Sequence, residues 1–208
     1  MTPRTAPNVL AGFCLLLLVL VDTVGAAELR SLEMGEEGER LWLKMTVTVA
    51  APPAAVFSVI TDYDNIRQLH RNVIESELVR RIDSRTVEVY TLIRGCIIAV
   101  FCRRIKRVER ITEYPPDRLD AEVLAEQSDL AYGRVLWRLE AAPEGSMIYY
   151  ESEIEPEFWV PKLFGDALLA KMVERTTIEM IERVEALARA LPAGDDGPAG
   201  EALPGFLP

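Results

Sequence analysis

The sequence predicts an α+β domain in which a curved antiparallel sheet of about seven strands lies against one long C-terminal helix. Three observations predict it. First, Phe164, Leu168, Leu169, Met172, Val173, Thr176, Met180, Val184, Leu187 and Leu191 recur at spacings of three and four, which puts them on one helical stripe. Second, a series of alternating runs ahead of that helix sits at hairpin spacing. Third, Pro52-Pro53 and two short helical stretches separate the first run from the others. The predicted order is one strand, two short helices, six strands and the long helix.

The chain opens on a targeting segment, residues 1–26. Arg4 supplies a positive start, Val9 to Val21 is an apolar run, and Val24-Gly25-Ala26-Ala27 is a small-residue cleavage site. The run is short for a bilayer span and suits a signal peptide. Periplasmic or secreted localisation follows, with an uncleaved N-terminal membrane anchor as the alternative. Residues 27–40 read as a leader, 41–191 as the domain, and 192–208, rich in Pro, Gly and acid, as a disordered tail.

Leu41–Val49 alternates Leu41, Leu43, Met45, Val47 and Val49 on one side, the pattern of a half-buried strand. Pro53 opens a helix at its first position, and Asp64 is the expected N-cap of a second short helix over residues 65–71. Strands follow at Ile74–Ile82 and Thr86–Arg94, with a turn at Asp83-Ser84. CIIAVFCRRIKRVERIT reads as the next strand, with a bulge near Lys106 because Ile105 and Val108 differ in parity. Pro115-Pro116-Asp117 is a turn. Strands at Arg118–Glu126, Arg134–Ala142 and Ser146–Glu155 complete the sheet. Pro161 fits the first turn of the long helix and Pro192 stops it.

The formal charge is −10, from 23 basic and 33 acidic residues. An acidic chain without a basic run is a poor partner for nucleic acid. Cys96 and Cys102 are separated by five apolar residues with no turn former. On a single strand they would stand about 20 Å apart, too far to bond, so two free thiols are expected. With one histidine and no CxxC, no metal and no cofactor are expected.

The order of elements, and the residues that carry it, resemble the START-like (SRPBCC) superfamily of helix-grip proteins, including its polyketide cyclase/dehydrase and coenzyme Q-binding branches. APPAAVFSVITDYDNIRQLHRNVIES is similar to the opening block of that group. WRLEAAPEGSMIYYESEIEPEFWVP is similar to its closing strand pair. The resemblance covers Leu41 to about Ala190. It implies a deep, largely apolar cavity between the sheet and the last helix.

Catalytic signals are sparse. His70 reads as an exposed loop histidine at the end of the second short helix rather than a proton-transfer group. No Ser-His-Asp set, GxSxG or phosphate loop is present. Asp64 reads as a cap and Tyr63 as a packed ring with its hydroxyl on a backbone partner. Arg103, Arg104, Lys106, Arg107 and Arg110 read as a solvated sheet face, with transient contact to anionic head groups as the functional alternative.

Aromatic residues carry the ligand signal. Trp137 shares parity with Val135 and Leu139, and Tyr150 with Ile148 and Ile154, the apolar faces of neighbouring strands. Phe158 and Trp159 stand where the last strand hands over to the helix. Tyr90 and Arg94 share parity, and an inward Arg94 would orient a carbonyl or acid head group. The candidate ligand-binding set is Tyr63, Leu69, Tyr90, Arg94, Trp137, Tyr150, Trp159, Phe164, Leu168 and Met172, with no catalytic residue.

The chain therefore reads as a monomeric periplasmic protein that binds or sequesters an apolar small molecule, a lipid, quinone or polyketide-like compound. A cyclase/aromatase acting in the same cavity, and a partner-binding module with a filled core, are the alternatives.

Overall fold

The computed structural model describes residues 27–98, 101–158 and 166–191, with side chains at 27–95, 102–158 and 173–191. The signal segment, the tail, Pro161, Trp159 and Phe164 lie outside the described residues, as do the side chains of Leu168, Met172 and Cys96.

Eight strands form one antiparallel sheet: β1 (Glu28–Glu37), β2 (Arg40–Val49), β3 (Val73–Arg81), β4 (Thr86–Ile98), β5 (Phe101–Tyr114), β6 (Arg118–Val123), β7 (Leu130–Ala142) and β8 (Gly145–Pro156). Their order is β1-β2-β8-β7-β6-β5-β4-β3. Every neighbour pair except β2–β8 is a sequence neighbour, so hairpins build nearly the whole sheet. The long step from β2 to β3 carries helix α1 (Pro53–Ile60) and a 3-10 turn (Tyr63–Gln68). Helix α2 (Asp166–Ala190) closes the fold. This is the expected α+β helix-grip architecture with one strand more. The added strand, β1, comes from the stretch read as a leader. Its period was hidden by ELRSLEMGEE, where charge breaks the apolar alternation, but its backbone pairs with β2 from Glu28↔Thr48 to Glu37↔Arg40.

Period-two alternation sets one face of the sheet toward the helices. Val47, Val49, Val87, Val89, Ile111, Leu119, Ala121, Val135, Leu139 and Ile148 are all buried there. Helix α1 adds Val56, Phe57, Val59 and Ile60, and α2 adds Ile181, Val184 and Ala188. Helix α2 packs on α1, β1 and β2. Its last turns are fixed by Glu185, a buried carboxylate that accepts the backbone N–H of Ala50 at 2.8 Å and pairs with Arg189. The C-terminal half of α2 thus belongs to the core, while Thr176, Thr177 and Met180 face the space beside it.

Three local expectations change. The CIIAVFC stretch is a hairpin, not one strand. β4 ends at Ile98, β5 begins at Phe101, and Cys96 and Cys102 are register partners across the ladder. Cys102 is disulfide-bonded, so the free-thiol expectation fails; an apolar run without Gly or Pro concealed the reversal. No bulge occurs near Lys106, since β5 stays in register with β4 from Thr112 to Cys102. Ile105 and Val108 simply face opposite sides. Asp64 does not cap a helix: Asp62 holds the cap position, and its carboxylate accepts the Asn65 side-chain amide at 3.0 Å rather than a backbone N–H of the turn. Asp64 instead accepts the Leu78 N–H of edge strand β3 at 2.9 Å. The Asp83 turn is as expected, its carboxylate accepting the N–H groups of Arg85 and Thr86 at 2.7 and 2.8 Å.

Candidate functional site

Between the sheet and the helical side lies a cavity of about 360 Å³, within the size range of small-molecule sites. Its floor comes from alternate residues of six strands, with Val73 at the start of β3 adding a seventh at the edge. Leu43 and Met45 on β2, Tyr150 and Ser152 on β8, Val135 and Trp137 on β7 and Leu119 and Ala121 on β6 form one side. Ile111, Glu109 and Arg107 on β5 and Ile93 on β4 form the other. Its roof is Ile60, the 3-10 turn with Tyr63, Ile66, Leu69 and His70, and Thr176, Thr177 and Met180 of α2.

Four of the expected residues meet in this wall: Tyr63, Leu69, Trp137 and Tyr150. Trp137 and Tyr150 are register partners on β7 and β8, and their rings meet edge to face with centroids 4.7 Å apart, a favoured aromatic geometry. Tyr150 is half-buried in the wall, and loss of solvent pushes its phenol pKa upward, so the hydroxyl stays protonated. Tyr63 is fixed from above. Its hydroxyl donates to the Glu113 carboxylate at 2.8 Å, not to a backbone partner. Burial, then the adjacent carboxylate, drive its pKa far above the ordinary phenol value.

Tyr90 and Arg94 belong to the opposite face. β4 turns Val87, Val89, Thr91 and Ile93 inward, so the even-numbered residues point away. Tyr90 donates to Glu75 at 3.4 Å, and Arg94 is exposed. They do not line the cavity. Trp159, Phe164, Leu168 and Met172 have no described side chains.

The wall also contains charge that composition assigned to solvent. Arg107 and Glu109 are successive inward residues of β5, and the Arg107 Nε lies 3.1 Å from the Glu109 carboxylate. The same Nε–H reaches the Thr91 hydroxyl at 3.2 Å. Glu109 is 5 % exposed. Burying two charges is costly, and pairing with further hydrogen bonds offsets that cost. Ser152 stands two residues from Tyr150 on the same face of β8, and both it and the Arg107 charge act on the Tyr150 phenol against the upward push of burial. Arg107, Glu109, Tyr150 and Ser152 thus stand together as a polar patch in a largely carbon-rich wall, with Thr91 hydrogen-bonded to Arg107. Its sequence signal was present: Ile105, Arg107, Glu109 and Ile111 share one parity, with an isoleucine at each end.

His70 is the other correction. Its ring is half-buried and borders the cavity. Nδ1 accepts the Asn72 backbone N–H at 3.0 Å. Nε2 is buried without a hydrogen-bond partner among the described residues, a condition that costs about 1–3 kcal/mol in general. Burial lowers its pKa.

Among curated proteins, no sequence matches this chain. Solved structures give the same fold at low identity. A STAR-related lipid transfer protein of Xanthomonas axonopodis aligns with TM-score 0.57 and 15 % identity over 76 % of this chain and 98 % of that one. The Zhui aromatase/cyclase of Streptomyces sp. R1128 aligns with TM-score 0.54 and 17 % identity over 72 % and 94 %. A START superfamily protein of Mycobacterium smegmatis aligns with TM-score 0.53 and 14 % identity over 71 % and 97 %. At these identities the likeness is one of fold. The sequence itself matches the family profile over residues 42–191, most of the domain, and the chain belongs to the polyketide cyclase / dehydrase and lipid transport family.

Proposed function

We propose that this protein binds and carries an apolar small molecule whose polar end is a carbonyl or carboxylate. The carrying observation is the combination of a carbon-rich cavity with one polar patch, Arg107–Glu109 beside Tyr150 and Ser152. Removing apolar ligand surface from water favours binding by about 25 cal/mol per Å², less the cost of association. The polar patch orients the ligand, since Arg107 is a donor and the Tyr150 hydroxyl stays protonated. Lipid transport in the family description and a lipid transfer protein of the same fold support this reading.

The amino-terminal segment directs export and is removed, so the carrier acts in the periplasm or outside the cell. The short apolar run ending at Val24-Gly25-Ala26 supports this. Exposed Arg94, Arg103, Arg104 and Lys106 give a basic area for transient contact with an anionic membrane surface. Intact-mass analysis of the exported protein checks cleavage; a full-length species held in the membrane overturns it.

Native mass spectrometry of protein from its own host tests the carrier function. A co-purifying apolar molecule is the expected result. Purified protein that takes up neither a host lipid extract nor decanoate overturns it.

A second reading, cyclase chemistry, is favoured by one observation: the Glu109 carboxylate lines the cavity beside a guanidinium and a protonated phenol. That set offers a proton acceptor and two donors for a bound polyketone. Incubation with a linear poly-β-keto thioester discriminates. Cyclised product that disappears in Glu109→Gln supports the enzyme, and unchanged substrate supports the carrier.

A further inference from the structure

We propose that His70 is a ligand-binding residue whose Nε2–H donates a hydrogen bond to a second acceptor oxygen, such as a mid-chain ketone or ester carbonyl, on the molecule held at Arg107. This rests on the carrier reading and adds to it a second polar contact, on the helical rather than the sheet side of the cavity.

The one hydrogen bond of the ring among the described residues fixes its tautomer. Because Nδ1 accepts the Asn72 N–H at 3.0 Å, that nitrogen carries no proton, and a neutral ring bears its proton on Nε2. Burial favours the neutral ring. The protonated nitrogen is therefore the one shut away from solvent without a partner. Buried donors are paired almost everywhere in proteins, and an orphan calls for a missing partner. The ring borders the cavity, and a molecule that fills the cavity reaches Nε2, closed to water in this structure, when the side chains covering that atom give way to it. Its position is held before anything binds. Asn72 fixes one side of the ring. Arg71, next in sequence, pairs with Glu179 of α2 at 3.2 Å and fastens the backbone to the helix. A donor fixed in this way discriminates in favour of an acceptor oxygen and against hydrocarbon at that point of the ligand.

The chain has one histidine, so the imidazole spectrum of protein made without a histidine tag assigns itself. Long-range proton–nitrogen correlation spectra are recorded while decanoate, and then a series of oxodecanoates with the ketone at successive positions, is titrated in. The free protein is expected to show the Nε2–H tautomer. At least one oxo acid is expected to bind about 3- to 10-fold more tightly than decanoate, the range of one neutral hydrogen bond. It should also shift the Nε2 and Hε2 resonances. That gain is expected to vanish in His70→Phe and to survive in part in His70→Gln, which keeps an N–H donor; circular dichroism checks that both are folded. Oxo acids that gain nothing, a gain that persists in His70→Phe, or binding that leaves the imidazole resonances in place overturns the role of His70 while leaving the carrier standing. Failure of decanoate, every oxo acid and the host lipid extract to bind overturns both.

Discussion

At the residue scale, polarity is placed with opposite consequences on the two faces of the sheet. Inside, Arg107 is the group that, under the proposed function, holds the ligand's polar head. Arg107→Met is expected to weaken decanoate binding by about 10- to 150-fold, the range for a charge-assisted hydrogen bond. It also strands Glu109 in the wall, so the double variant Arg107→Met/Glu109→Gln is the cleaner measurement, with affinity and thermal unfolding followed on each. Outside, Glu88 accepts from Arg80 at 2.6 Å and from Arg110 at 3.0 Å, and these bonds lower its pKa from 4.5 to about 2. Below its ordinary pKa the unfolded chain takes up the proton before the folded protein does. The contribution of Glu88 to stability is therefore complete above pH 4.5 and is lost as the pH falls through about 2. Urea midpoints of the native protein and Glu88→Gln should differ at pH 7 and converge toward pH 2. The two guanidiniums are largely exposed, so the difference at pH 7 is small. Sequence parity was enough to find Trp137 and Tyr150, because their strand neighbours are apolar. It failed at Arg107 and Glu109, because charged residues were assumed to be solvated; their burial depends on a cross-strand Thr91 and on each other.

At the element scale, turns and ties decide how the cavity walls are held. Gly145 starts β8 at φ 140°, and a Cβ there would collide with the Val49 carbonyl oxygen and meet the Ala51 nitrogen at 2.6 Å. Both obstacles are backbone and cannot swing aside. Gly145→Ala is expected to destabilise the protein by about 1–3 kcal/mol on the strain alone, measured as a lower urea midpoint with ligand affinity retained at temperatures where the variant is folded. The β4–β5 hairpin is tied by a disulfide at Cys102, opposite Cys96. Thiol counting on oxidised, denatured protein lacking the signal segment is expected to find none free, and two after reduction. The 3-10 turn is held on both sides, by Tyr63 to Glu113 at 2.8 Å and by Asp64 to the Leu78 N–H at 2.9 Å. These long-range bonds fix Leu69 and His70 over the cavity, and nothing in the local sequence of the turn specifies them.

At the scale of the whole molecule, the fold divides its labour along α2. Ile181, Val184 and Ala188 pack into the core, while Thr176, Thr177 and Met180 roof the cavity. Filling that cavity adds contacts that the unfolded chain cannot make. At a ligand concentration of 100 times Kd, linkage adds about 2.7 kcal/mol, which for a domain of this size raises Tm by about 5–10 °C. Calorimetry with decanoate checks this, and its effect should be smaller on Arg107→Met than on the native protein.

The sequence by itself determined the α+β class, the long closing helix, the run of hairpins and the apolar parity of most strands. All of these follow from periodicity, which is a local property of the backbone. It also determined the family, through blocks that span the domain. Tertiary structure alone decided the rest. The charge-rich β1 became a strand only because β2 offered an edge to pair with. Cys96 and Cys102 came together only because the chain reversed inside an apolar run. His70 became a buried donor only because the 3-10 turn folded over the sheet. In each case the deciding interaction joins groups that local sequence does not couple, and only the assembled sheet brings them within hydrogen-bonding or bonding distance.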